Sequence, residues 1–154
     1  MKGHGTNETA YLPFQVESVK HKKVVHIACG KNHVAVVTSE GIFPPFFLLI
    51  FLGEVITWGP EFQVFSTQSF SRQKVVQVEC GKYFTVALTE NGQVYTWGKG
   101  NKGALGHGDY GDKDIPTQIK DIPKVKQISC GNSHVIALTT SDTLLSWGNS
   151  KYGR

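Results

Sequence analysis

"CGKYFTVALTENGQVYTWG", residues 80 to 98, sets two apolar runs on either side of Glu90-Asn91-Gly92-Gln93. Alternation with a period of two, rich in Val, Thr and Tyr and broken by Asn-Gly, predicts two antiparallel strands joined by a tight hairpin. A third run stands just upstream, VVQVECG. The same three-part pattern occurs twice more. VVHIACG and VKQISCG precede Cys29 and Cys130; HVAVVTSEG and HVIALTTSD follow them; and EVITWG and LLSWG end, like QVYTWG, on Trp-Gly. Each copy is at least a three-stranded meander.

Cys29, Cys80 and Cys130 hold one slot, 51 and 50 residues apart, and Trp58, Trp97 and Trp147 hold another. A fixed period in this range marks solenoids, propellers and other arrays. Between Trp97 and Cys130 lies a glycine-rich connector and then Ile115-Pro116-Thr117-Gln118-Ile119. This piece is predicted to be a fourth, edge strand, where proline is tolerated. Four short strands in about 50 residues, with glycine punctuation and a recurring tryptophan, describe one blade of a β-propeller.

At this point the residues resemble a known family. CGKYFTVALTENGQVYTWGKGNKGALGHGDYGDKDIPTQI, residues 80–119, is similar to the repeat of the regulator of chromosome condensation family, with its Cys-Gly, Ala-Leu-Thr, Gly-x-Val-Tyr-x-Trp-Gly and Leu-Gly-His-Gly elements. Gly3-His4-Gly5 aligns with Gly106-His107-Gly108, and Trp147-Gly148-Asn149 reopens the next connector. The resemblance implies an all-β, incomplete β-propeller of about three four-stranded antiparallel blades, where family members normally close a seven-bladed ring. The expected repeat units are residues 1–58, 59–97 and 98–147.

The first repeat departs from the other two. Cys to Trp is 17 residues in the second and third repeats and 29 in the first, which places a twelve-residue insertion, 42–53, at a hairpin tip. Trp to Cys is 33 residues from Trp97 but 22 from Trp58, so eleven residues corresponding to the connector Lys99 to Asp109 are missing there. Residues 42–52, IFPPFFLLIFL, are too short for a bilayer, which needs about 20 apolar residues, and Pro44-Pro45 would break a helix, so no membrane span is expected. Lengthening the loop from about two to about fourteen residues costs only roughly 1.7 kcal/mol, so the flanking strands are expected to pair around it. The composition fits translated intron sequence first and a hydrophobic docking loop second.

Sixteen Lys and Arg against twelve Asp and Glu give a net charge of +4, scattered apart from Lys20-His21-Lys22-Lys23. That tetrad reads as a solvated turn rather than a phosphate or acidic-partner site. No secretory signal is visible at the N-terminus, and an odd number of cysteines argues for reduced thiols in cytosol or nucleus.

Three stretches invite a chemical reading. Gly98-Lys99-Gly100-Asn101-Lys102-Gly103 satisfies G-x-G-x-x-G after a strand, but no apolar helical period follows it, so a connector is expected instead of a dinucleotide site. Cys29 with His33 and Cys130 with His134 have metal-pair spacing, but the middle repeat carries Phe84 in the histidine slot, and equivalent slots spread around a ring. Core packing is expected, and a cysteine nucleophile fails for want of an orienting acid. The three tryptophans are expected to pack between blades, with base stacking as the alternative.

No catalytic residue, cofactor, metal or small-molecule substrate is therefore assigned. The expected role is a non-catalytic protein-interaction scaffold that self-associates through open sheet edges. The resemblance implies partners such as a small GTPase or a chromatin protein, and settings that include large HECT-type ubiquitin ligases. The alternatives are a guanine-nucleotide exchange factor for a Ran-type GTPase and a truncated or mis-spliced product without independent function.

Overall fold

The computed structural model describes residues 12–13, 15–39, 54–58, 63–65 and 67–151. Each alternating run forms a strand. β1 (Lys23–Cys29), β2 (Val34–Ser39), β3 (Val55–Trp58) and β4 (Gln63–Phe65) make the first sheet. β5 (Val75–Cys80), β6 (Phe84–Thr89), β7 (Val94–Gly98) and β8 (Lys113–Gln118) make the second, and β9 (Val125–Cys130), β10 (His134–Thr139) and β11 (Leu144–Gly148) the third. Every sheet is an antiparallel meander in chain order. The helical elements among the described residues are short 3₁₀ turns at Glu17–Val19, Thr67–Phe70 and Asn101–Gly103. The all-β, propeller-type architecture is thus formed, with Pro116 on the edge strand β8. Among the described residues the third sheet has three strands rather than four.

A buried threonine fixes the hairpin register in all three sheets. Thr89 N–H donates to the Gln93 carbonyl at 3.0 Å, and the Gln93 N–H donates to Thr89 Oγ1 at 3.1 Å. Thr139 makes the same pair of bonds with Thr143, at 2.9 and 3.0 Å. Thr38 makes them with Glu54, at 2.9 and 3.2 Å. The insertion 42–53 itself lies outside the described residues, but its flanks keep the common register: Val37 pairs with Val55 as Leu88 does with Val94 and Leu138 with Leu144.

Each first strand is irregular at one slot. The register shifts between Val24 and His26, between Val75 and Gln77, and opposite Leu138 and Thr139, whose partners are Gln127 and Val125. The extra residue is Val25, Val76 or Lys126. A bulge lets two residues of odd and even position share a face, so Val75 and Val78 are both buried while Val76 is exposed.

Sheets stack face to face. Ala35, Val37 and Val55 of the first meet Val78, Ala87, Tyr95 and Trp97 of the second. Phe84, Val86, Leu88 and Val94 on the other side of the second meet Val125, Ile128, Val135 and Ala137 of the third. Every residue of β6 is consequently buried, on both faces. Each buried aliphatic side chain contributes about 1.5–3 kcal/mol, so these two junctions hold the stack together.

Candidate interaction site at the sheet junctions

The Cys-Gly slot exists to bring a ring onto the backbone. A Cβ on Gly81 would lie 2.0 Å from Phe84 Cε1, and one on Gly131 would lie 2.1 Å from His134 Cε1; at Gly30 it would meet His33 Cε1 at 2.7 Å and the Gly81 carbonyl of the neighbouring sheet at 2.5 Å. Only glycine leaves that room. The Cys-x-x-x-His spacing is therefore a ring-over-glycine fit. His33 reaches across the first junction, its Nε2 3.0 Å from Thr85 Oγ1, and burial lowers its pKa. Among the described residues no group of three or more His, Cys, Asp or Glu gathers where a metal would sit.

A second set of bonds ties the first strands of the first two sheets to the sheet that follows each. Gln77 Nε2 donates to the Ile128 carbonyl at 2.7 Å, and the Ile128 N–H donates to Gln77 Oε1 at 3.1 Å, a two-point grip on the backbone of β9. In the preceding sheet His26 holds the same slot, with Nδ1 3.5 Å from the Val78 N–H. Lys82 N–H adds a bond to the Asn132 carbonyl at 2.9 Å. The third sheet repeats the gripping residues as Gln127 and His134. There Gln127 is exposed, and the buried Nδ1 of His134 has no hydrogen-bond partner among the described residues. Beside them Ile136 and Leu144 are also exposed. The third sheet thus carries one half of a junction.

The connector seals the second junction from above. Ala104 and Leu105 are buried, Trp147 Nε1 donates to the Ala104 carbonyl at 3.1 Å, and Thr96 Oγ1 donates to the Leu105 carbonyl at 2.7 Å. His107 Nε2 lies 3.0 Å from the same Thr96 hydroxyl. Gly106, at φ +74°, passes so close that a Cβ would sit 2.9 Å from Trp147 Nε1. The first repeat lacks this connector. Phe70 packs there against Tyr95 and Trp97, with centroids 5.3 and 6.0 Å apart. A cavity of about 290 Å³ opens at the same junction, lined by His33, Thr57, Trp58, Thr85 and Trp97 among others.

Other residues with a chemical reading fall into internal roles. Gly98–Gly103 leads from β7 into a three-residue 3₁₀ turn, and its Gly100 N–H already donates to Asp112 Oδ1 at 3.0 Å, with Lys99 paired to the same carboxylate at 2.6 Å. These bonds hold the Asp112 carboxyl below its usual range, the Lys99 contact being the larger cause. In the basic tetrad Lys20 pairs with Glu17 at 2.6 Å and Lys22 with Glu54. Trp97 is buried at the first junction and Trp147 half-buried at the second. Cys80 is buried with its thiol pKa pushed up to about 12 by burial; burial raises Cys130 too, and Cys29 is exposed. No described helix is long and apolar enough to cross a membrane.

Sequence reasoning did not anticipate the Gln77 grip, the threonine staples or Phe70. A polar residue recurring two places past a valine, as His26, Gln77 and Gln127 after Val24, Val75 and Val125, was the available signal for the first of these.

Comparison with known proteins agrees with this geometry. Two profiles of the regulator of chromosome condensation (RCC1) repeat match the chain, one over residues 3–37 and 91–138, the other over 75–104 and 125–154. The human E3 ubiquitin-protein ligase HERC2 is 32% identical over 125 residues, 69% of this chain and 2% of that protein. Human WBSCR16 superposes with a TM-score of 0.68 at 25% identity, over 92% of this chain and 37% of that one. Yeast RCC1 (Prp20), in its complex with Kap60, gives 0.64 at 26% identity, over 84% and 30%. The chain thus spans a small part of these relatives. By its repeats, its meanders and these matches, the chain belongs to the regulator of chromosome condensation (RCC1) repeat family.

Proposed function

We propose that the chain is a non-catalytic protein-interaction module whose principal binding surface is the uncovered face of the third sheet. The observation that carries this reading is the repetition of the junction residues: Gln77 and His33 each grip the following sheet, while Gln127 and His134 occupy the same slots on a face where Gln127, Ile136 and Leu144 are exposed. A protein that presents an antiparallel sheet with an open backbone N–H and C=O at the Ile128 slot would complete the arrangement, and a second copy of the chain is the simplest such protein. Reduced thiols are consistent with cytosol or nucleus. Light scattering on the full chain at tens of micromolar is expected to show species larger than a monomer, and Ile136→Lys is expected to shift them to the monomer. A sharp monomer peak for the unsubstituted chain would count against the proposal.

A second reading is exchange-factor activity toward a Ran-type GTPase, suggested by the described binding of the yeast relative Prp20 to Gsp1p and histones. Nucleotide release from a loaded GTPase separates the two. The interaction reading expects the intrinsic rate, and a clear acceleration by the chain would establish exchange instead.

A further inference from the structure

Each internal junction joins two unlike halves. One sheet offers a face: Ala35, Val37 and Val55 in the first sheet, and Val86, Leu88 and Val94 in the second. The next sheet offers a seat on its first strand, where Val78 and Ile128 are 0% and 1% exposed and Gln77 bonds both the N–H and the carbonyl of Ile128. The third sheet repeats the face as Ile136, Leu138 and Leu144, and there Ile136 and Leu144 are exposed. The first sheet repeats the seat as Ile27, which is 67% exposed. The tryptophan side of that seat is already covered. Val16 and Val19 pack on Val36, Ile56 and Trp58, as Ile119 and Ile122 pack beside Trp147 at the second junction. What would close the seat is therefore a sheet without its fourth-strand segment, and the third sheet has three strands among the described residues.

We propose that the seat at Ile27 is the docking site for the third sheet of a second copy of this chain, so that copies join head to tail through a junction of the kind built twice within each. The inference rests on the protein-interaction reading of the third sheet and names the surface that it meets. Gln127 of one copy grips the Ile27 backbone of the next, as Gln77 grips Ile128. Ile136 and Leu144 cover the Ile27 side chain, and the Asn132 N–H donates to the Lys31 carbonyl, as the Lys82 N–H does to that of Asn132. Such a contact is heterologous, two different patches meeting. Pairing two third sheets with each other would leave both Ile27 side chains in water.

The test mixes two full-length chains, each blocked on one half. Ile27→Lys spoils the seat and keeps the open face; Ile136→Lys spoils the face and keeps the seat. Both positions are exposed, so both chains should retain their β-sheet circular dichroism. At tens of micromolar each alone is expected to be monomeric by light scattering, and an equimolar mixture to form a dimer with one copy of each that grows no further. Association of Ile27→Lys alone at the level of the unsubstituted chain would overturn head-to-tail docking while leaving the third sheet's face as a binding surface. A mixture that stays monomeric would overturn it too. Where a substituted chain fails to fold, lysine cross-linking of the unsubstituted chain decides, with isotope-labelled and unlabelled copies mixed. Links between copies are expected from Lys126 to Lys23, whose slots line one cavity as Val76 and Lys124 at the second junction. Lys126–Lys126 links in their place would overturn the proposal.

Discussion

The second and third sheets use the same slots for opposite environments. Val86 is 0% exposed and its counterpart Ile136 42%; Val94 is 0% and Leu144 68%. The residues are alike in size and polarity, so burial here is conferred by the neighbouring sheet and not by the repeat's own sequence. The polar residues teach the same lesson. Gln77 binds a backbone in two places, while Gln127 faces outward.

The sharpest contrast is at the tryptophans. Trp97→Ala should destabilise the chain by about 3–5 kcal/mol in urea unfolding, since a large side chain is removed from a closed core. Trp147→Ala should cost clearly less, because that ring is half-buried. Equal losses would mean that the second junction buries its tryptophan as fully as the first does. Gln77→Ala should cost about 1–3 kcal/mol, as it strands the Ile128 N–H and C=O. Gln127→Ala should leave the unfolding midpoint unchanged and reduce self-association.

The pH dependence probes the covered histidine. Burial holds the folded pKa of His33 below its ordinary value near 6.5. The unfolded chain therefore takes up this proton more readily, and the associated stability is complete above about pH 6.5 and lost as pH falls through the folded pKa. Tm should be flat above pH 7 and fall below pH 6.5, and His33→Phe, which places the second sheet's residue in this slot, should flatten the fall. His107, also lowered by burial and then by Lys113, accounts for part of what remains. The smallest effect is expected at Lys99. Its pairing with Asp112 is exposed, so Lys99→Ala should leave the urea midpoint where it is.

Strand content was legible in the sequence because alternation and turn chemistry are local, and the Trp, Cys and Gly slots were legible because they recur. The bulge was not. Strict alternation puts Val76 with Val78 on one face, whereas the chain buries Val75 with Val78 and exposes Val76, a choice that depends on the packing of the adjacent sheet. The Cys-Gly-x-x-His/Phe fit was visible as spacing only; that the ring covers the glycine required the hairpin's three-dimensional path. Phe70 escaped notice because it replaces a segment whose absence was read from length alone, and what fills a gap is decided by volume rather than by pattern. The open face of the third sheet has no local signature, since its residues match those of covered sheets.

That open face is tested most directly by thiol labelling of Val86→Cys and Ile136→Cys chains, resolved by site with mass spectrometry at several chain concentrations. Val86→Cys should stay unreactive throughout. Ile136→Cys should react readily when the chain is dilute and become protected toward tens of micromolar, as a partner face closes over it. An Ile136→Cys thiol that is unreactive in the dilute chain, or equally reactive at every concentration, would contradict the account.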